Sequence, residues 1–282
     1  MMDALASTAH LAVVSDFDGT LAGFATRPDA VQPEKRSLDA LASLAQLPDT
    51  TVAVLSGRHL DGLKHVCPLR EPVLMGGSHG AESSWEESPL TPEMKAHLAK
   101  KEAEIKEIIA RHPGAELEVK PFQRVLHLRA LELQDPAAAA AAYEEGLALS
   151  ADGFPKTAGK CVVEFSATQA TKGTWIKTLR ERVGATAVVF LGDDTTDEDG
   201  FAVLNQPPDL GVKVGEGDTL ATYRVADVVA VSEFLEELAA ARAAHVPRYR
   251  PPLARARAHA HARAPGLLRW GRDGTAGVES ST

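Results

Sequence analysis

Leu11-Ala12-Val13-Val14-Ser15-Asp16-Phe17-Asp18-Gly19-Thr20-Leu21 decides the reading of this chain. Five residues with no apolar/polar alternation suit a strand buried on both faces, and such strands belong to parallel sheets covered by helices. The run stops at two aspartates and a glycine, a turn at the carboxyl end of that strand. In an open parallel sheet this is the end beyond which ligands bind.

Working outward, the same texture recurs at Thr51 to Leu55, Val73 to Met75, Ala187 to Leu191, Val212 to Val214 and Val228 to Val231. Between the first two strands, Leu38, Leu41, Leu44 and Leu47 form one stripe of a helix from Glu34 to Leu47. Strand, helix, strand implies right-handed parallel crossovers. Trp175, Ile176, Leu179 and Val183 mark another helix, and Phe234 to Ala243 a last one. The segment from Glu86 to Phe165 differs. A long charged helix (Glu93 to Arg111) precedes alternating strands at Glu116 to Lys120 and Gln123 to Arg129, which form a hairpin. An alanine-rich helix then starts behind Asp135 and Pro136, and strands follow near Phe154 to Thr157 and Lys160 to Phe165. The fold expected is α/β: a Rossmann-like parallel core over residues 1–85 and 166–246, with an inserted αββαββ domain over 86–165. Residues 247–282 form a basic low-complexity tail.

The 282 residues are 44% hydrophobic and 24% charged, enough for one large domain or two small ones, which excludes a disordered or fibrous chain. The tail carries seven arginines against Asp273 and Glu279, a local balance of +5 within a net −9, which leaves the remainder at −14. That acidic body argues against a general nucleic-acid binder. The tail reads as a solvated end or as a weak basic contact for an acidic partner; His259 and His261 within it are either solvated or metal ligands. Two cysteines, Cys67 and Cys161, build no disulfide framework, the first twenty residues have no secretory pattern, and no apolar run is long enough to span a bilayer. A cytoplasmic location without membrane association is expected.

Polar clusters fall at four strand ends: Asp16 to Thr20, Ser56-Gly57-Arg58, Gly76 to Gly80, and Gly192 to Gly200. An Asp pair before Gly is ordinarily a turn or helix cap. A second acidic cluster at another strand end changes this, because carboxylates converging on one crevice repel unless a hard cation neutralises them, and oxygen-only ligands favour Mg²⁺. An EF-hand starting at Asp193 fails, since its sixth and twelfth positions are Glu198 and Leu204. Thr20 and Ser56 hydroxyls, N–H groups at Gly19 and Gly57, and the Lys172 cation beside Gly173 are suited to phosphoryl oxygens. Nucleophile, metal site, cation and acid for phosphoryl transfer are therefore all present.

The ordered set DFDGTL (16–21), SGR (56–58), Lys172-Gly173 and LGDDTTDEDGF (191–201) resembles the haloacid dehalogenase superfamily of aspartate-nucleophile phosphatases. More narrowly, GSHGAE (77–82) and the pairs Glu118/Lys120, His127/Arg129 and Lys160/Glu164 of the insert resemble the trehalose-6-phosphate phosphatase family and its C2-type cap. The resemblance covers Leu11 to Ala243. It implies Asp16 as nucleophile, Asp18 as general acid and base, Mg²⁺ on Asp16, the Asp18 carbonyl and Asp193, and Asp194 or Asp197 in the outer shell. It also implies Thr20, Ser56, Gly57 and Lys172 at the phosphate, and Arg58, Glu118, Lys120, Arg129, Lys160 and Glu164 at the sugar. His79 is either a loop residue or a sugar contact, and His127 either packs under the hairpin or joins the surface. One departure is the absence of a proline soon after the cap glutamate, where Phe165-Ser166-Ala167-Thr168-Gln169 stands, so the hinge path is expected to differ. The activity implied is hydrolysis of trehalose 6-phosphate; a monomer is expected, and pathway logic adds a functional link to a trehalose-6-phosphate synthase. Rival readings are a phosphatase for a sucrose phosphate or a glycosyl-phosphoglycerate, and a catalytically silent sugar-phosphate sensor.

Overall fold

A computed structural model describes residues 1–23, 30–87, 90–204 and 206–245. The basic tail, with His259 and His261, lies outside the described residues. Along the first part of the chain come α1 (Met2–Ala6), β1 (Leu11–Ser15), α2 (Lys35–Leu44), β2 (Thr50–Leu55), α3 (Leu60–Val66), β3 (Leu74–Gly77) and β4 (Glu82–Ser83). The middle holds α4 (Pro92–Arg111), β5 (Glu116–Val119), β6 (Gln123–His127), α5 (Arg129–Gln134), α6 (Pro136–Ala148), β7 (Lys156–Gly159) and β8 (Val162–Ser166). The last part supplies α7 (Lys172–Val183), β9 (Ala187–Gly192), α8 (Glu198–Phe201), β10 (Leu210–Val214), β11 (Tyr223–Val225) and α9 (Val228–His245).

Seven strands form one sheet in the order β11-β10-β9-β1-β2-β3-β4, parallel except for the short final pair β3–β4. β1 sits centrally, paired Ser15 to Leu191 of β9 and Ser15 to Val54 of β2. That register brings the loops opening at Asp16, Ser56 and Gly192 to one edge of the sheet. Every residue of β1, β9 and β10 is buried, as unalternated strands require. One face packs Leu41, Leu44, Leu235 and Leu238 of α2 and α9, and the other packs Trp175, Ile176 and Leu179 of α7. At the opposite edge, buried Arg242 of α9 donates to the carbonyls of Ala6, Thr8 and Asp49, closing carbonyls that lie just before β1 and β2.

The smaller antiparallel sheet, β5-β6-β8-β7, has a separate apolar core in which Ile105 and Ile108 of α4 and Ala139 and Ala142 of α6 meet Leu126, Val163 and Phe165. Ala167 N–H donates to Phe122 O, and the Ser166 hydroxyl donates to Thr168 O; these bonds fix the chain leaving the smaller sheet without a proline.

Three expectations need correction. Val228 to Val231 is the first turn of α9 and not a strand: Asp227 accepts from the N–H groups of Val229 and Ala230, an N-cap that sets a helix. The final core strand is instead Tyr223–Val225. Arg129 does not continue its strand, because Leu128 turns to φ −122°, ψ 2° and Arg129 opens α5. The middle segment therefore runs αββααββ, and His127 and Arg129 do not share a strand face.

Candidate active site

Asp16 follows β1 directly and is 4% exposed. Its carboxylate accepts a 2.6 Å bond from Lys172 Nζ, and the same ammonium donates at 2.6 Å to Asp197. Lys172 is the first residue of α7, held by a reciprocal cap in which Thr171 and Thr174 bond each other's backbone N–H. Asp197 is fully buried; its second oxygen accepts from the N–H groups of Asp193 and Asp194 and clasps the loop after β9. A Cβ at Gly192 would lie 2.3 Å from the Asp197 carboxyl carbon, so only glycine permits this clasp. Gly19, at φ +88°, faces Asp193 in the same way, its absent Cβ 2.1 Å from the carboxylate.

One oxygen from each of Asp16, Asp193 and Asp197 lies within 4.8 Å of the others. Burial, reinforced by Asp197 and Asp193 and opposed by Lys172, pushes the Asp16 carboxyl up to about 8. Burial and then the Asp197 charge also raise Asp193. For Lys172, burial works against the charged form, but Asp16 and Asp197 outweigh it and raise its pKa. Lys172 bonds two of these three carboxylates, and a hard divalent cation would add positive charge to the group. The oxygen-only donor set fits Mg²⁺.

A cleft of about 460 Å³ is lined by Asp16, Asp18, Ser56 and Lys172 together with Glu118 and Lys120 from the hairpin of the smaller sheet. Gly57, Arg58, Asp193 and Asp194 border it too. Of the expected phosphate and sugar groups, Ser56, Gly57, Lys172, Arg58, Glu118 and Lys120 therefore meet in one cavity. Glu118 accepts from His127 at 2.8 Å and lies 3.5 Å from Lys120; despite partial burial, His127 and Lys120 hold its carboxyl below the usual range. Glu164 accepts from Gln123 at 2.9 Å and lies 3.9 Å from Lys120, while burial raises its pKa. His127 thus joins the polar surface of the hairpin rather than packing beneath it.

Other expected residues stand elsewhere. Thr20 is buried and donates to Asp193 at 3.2 Å, so its hydroxyl serves the carboxylate rather than the cleft. Asp194 accepts from the Thr195 N–H, and unlike Asp197 it stands outside the three-carboxylate group. Arg129 is exposed, pairs with Glu132 at 2.8 Å and lines an adjoining hollow with Glu118 and His127. Lys160 lines a third hollow with Tyr143 and Cys161.

Two supporting residues were given no role by the sequence reading. Lys213 Nζ donates to the Asp193 carbonyl; its signal was a lone cation in the otherwise apolar Val212-Lys213-Val214. Glu82 accepts from Ser78 Oγ at 2.6 Å and Leu60 N–H at 3.1 Å, tying the loop after β3 to the start of α3. No helix among the described residues is long and apolar enough to cross a membrane.

Residues 14–228 match the family model described as trehalose-phosphatase. The chain is 35% identical over 245 residues to the trehalose-6-phosphate phosphatase of Escherichia coli, covering 80% of this chain and 85% of that protein. It is 34% identical over 230 residues to the bifunctional trehalose-6-phosphate synthase/phosphatase of Thermoproteus tenax, spanning 79% of this chain but 31% of that longer protein. Among solved structures, the C-terminal domain of C. albicans trehalose-6-phosphate phosphatase superposes with a TM-score of 0.66 at 22% identity, over 85% of this chain and 95% of that one. With a family model matched across both sheets and an acidic cleft between them, this chain belongs to the trehalose-phosphatase family.

Proposed function

We propose that this protein is a Mg²⁺-dependent phosphomonoesterase that hydrolyses trehalose 6-phosphate to trehalose and phosphate through a phosphoryl group carried on Asp16. The observation that carries the reading is the single cleft in which Asp16, Ser56 and Lys172 face Glu118 and Lys120. The segment 86–165 acts as a cap that selects the sugar, and residues 1–85 with 166–246 as the core that performs the chemistry.

Asp16 and Asp193, with the Asp18 backbone carbonyl, would hold the ion. Asp197 anchors them, since its oxygens already serve Lys172 and two N–H groups. Bound Mg²⁺ supplies positive charge that ionises Asp16 and offsets the phosphoryl oxygens. An Asp16 carboxylate oxygen attacks phosphorus, and the bond from phosphorus to the sugar oxygen breaks. Asp18 gives its proton to that oxygen, releasing trehalose. Asp18 then takes a proton from a water whose oxygen attacks phosphorus, the bond to Asp16 breaks, and phosphate leaves. Lys172 and Ser56 hold the equatorial oxygens throughout, where charge shifts most between ground and transition states.

Glu118, Lys120 and Glu164 offer paired acceptors and a donor to sugar hydroxyls, and Arg129 and Lys160 join them as the cap moves over the disaccharide. Closure excludes water from the phosphorylated enzyme until the sugar has left. The fusion of synthase and phosphatase in the T. tenax relative supports a functional link to an enzyme that makes the sugar phosphate.

Phosphate release from trehalose 6-phosphate, sucrose 6-phosphate, glucose 6-phosphate and an aryl phosphate, with Mg²⁺ and with excess EDTA, tests the reading. A strong Mg²⁺-dependent preference for trehalose 6-phosphate is expected. A preference for another ester moves the specificity assignment, and activity that survives EDTA refutes the metal role.

A further inference from the structure

The loop after β3 holds a residue that the phosphoryl chemistry does not use. Ser78 and His79 are consecutive non-glycine residues in the left-handed region, at φ 48° and φ 55°. Such a pair is costly and persists only where surrounding bonds enforce it. Here the Ser78 N–H donates to Arg58 O at 2.7 Å and the His79 N–H to Ser56 O at 3.0 Å, so the loop is laced to the backbone of Ser56-Gly57-Arg58. The imidazole then lies against Gly57: a Cβ there would sit 2.5 Å from His79 Cε1.

The result is a ring placed in the cleft wall with a polar atom left over. The ring is half-buried, and its Nδ1 has no solvent access and no hydrogen-bond partner among the described residues, so a ligand in the cleft would reach that atom only with a turn of the ring. A buried polar group with no partner carries a desolvation penalty unless something else bonds it. Burial first, and then the cations of Lys172 from the core and Lys120 from the smaller sheet, push the pKa of this histidine down to about 4. The ring is therefore uncharged at neutral pH and offers one N–H and one lone pair. The phosphoryl groups, Ser56 and Lys172, and the sugar-facing groups, Glu118 and Lys120, line the same cleft as this ring. A hexose joined to phosphorus through its sixth oxygen must pass between those two sets.

We propose that the His79 imidazole is a specificity-determining contact that hydrogen-bonds a hydroxyl of the sugar ring carrying the phosphate. This rests on the reading of the cleft as a sugar-phosphate site. It gives a reason for two strained residues and for the glycine opposite them: packing alone would be met by an apolar ring.

The test compares wild type, His79→Ala and His79→Asn on trehalose 6-phosphate and on an aryl phosphate, with saturating Mg²⁺. Asn tolerates the left-handed backbone and keeps a hydrogen-bonding group near the position of Nδ1. In His79→Ala, kcat/KM for the sugar phosphate is expected to fall at least 10-fold more than for the aryl ester, chiefly through KM, with partial recovery in His79→Asn. Removing the contacted hydroxyl from the substrate should weaken wild-type turnover and leave His79→Ala little changed. Equal losses on both esters, or every single-hydroxyl deletion penalised alike in wild type and variant, would overturn the proposal and leave the ring a packing element. Should His79→Ala not fold, the same comparison of wild type with His79→Asn decides it. Failure of the wild type to turn over trehalose 6-phosphate would count against the proposed function itself, a separate outcome read from the unmutated protein.

Discussion

Arg58 lays its guanidinium across both carboxylate oxygens of Asp18, with Nε to Oδ2 and Nη2 to Oδ1 each at 2.6 Å. Such a fork takes up both oxygens of the carboxylate, so neither is free to serve a leaving group. For Asp18 to protonate a leaving group, the fork has to move, and an incoming phosphoryl or hydroxyl oxygen is the natural competitor for it. On the proposed mechanism, Arg58 keeps Asp18 in place until substrate competes for the guanidinium. Replacing it by Lys keeps the charge but not the fork, and by Ala removes both. In the phosphate-release assay, kcat/KM is expected to fall about 10-fold in Arg58→Lys and about 100-fold in Arg58→Ala, as losses of one or two charge-assisted bonds imply. An unchanged rate in Arg58→Ala would remove this role.

Glu118 and Glu164 share Lys120 as a neighbour, at 3.5 and 3.9 Å, yet lie on different strands. As sugar contacts they are made only with a substrate that has hydroxyls to offer. Glu118→Ala and Glu164→Ala are each expected to lower kcat/KM for trehalose 6-phosphate by about 10- to 100-fold, as loss of hydrogen bonds to a charged group implies, while affecting an aryl phosphate far less. Equal damage to both substrates would mean that the carboxylates only support the hairpin.

Crowding of carboxylates around Lys172 also predicts how stability responds to pH and metal. Burial holds Asp16 protonated up to about 8 in the folded, metal-free protein, whereas in the unfolded chain it ionises near 3.8. Between those values the folded state binds more protons, so stability falls as pH rises. His79, lowered to about 4, works in the opposite direction but only up to its ordinary value of 6.5. In EDTA the melting temperature should thus decline from pH 6.5 to 8, by roughly 2–4 °C per pH unit. Asp16→Asn should flatten that decline, and saturating Mg²⁺ should both raise the melting temperature and reduce the slope. A wild-type melting temperature in EDTA that is level or rising over this range, or indifferent to Mg²⁺, would contradict the charge balance described.

Much of this architecture is legible in the chain because burial on both faces leaves no alternation: Leu11–Ser15 and Ala187–Gly192 read as core strands from composition alone. The same rule misleads at Val228 to Val231, where four residues are too few to show a period and only Asp227 betrays the helix. Arg129 is missed for a different reason, since the turn at Leu128 has neither glycine nor proline to announce it. At the site, residue types and spacing mark Asp16, Asp18, Ser56 and Lys172, which two strand ends and one helix start bring together. What they do not mark is how those residues pair with one another. Thr20 turning to Asp193, Arg58 on Asp18 and Lys213 on the Asp193 carbonyl are all set by register across the sheet.

The central claim is that Asp16 carries the phosphoryl group between sugar and water. Acid-quenching the enzyme during a single turnover of trehalose 6-phosphate labelled with radioactive phosphate tests it directly. The account predicts a transient label on the protein that hydroxylamine releases, that maps to the peptide containing Asp16, and that is absent in Asp16→Asn, which also stops phosphate release. Phosphate release with no protein-bound label, together with turnover that survives Asp16→Asn, would contradict it.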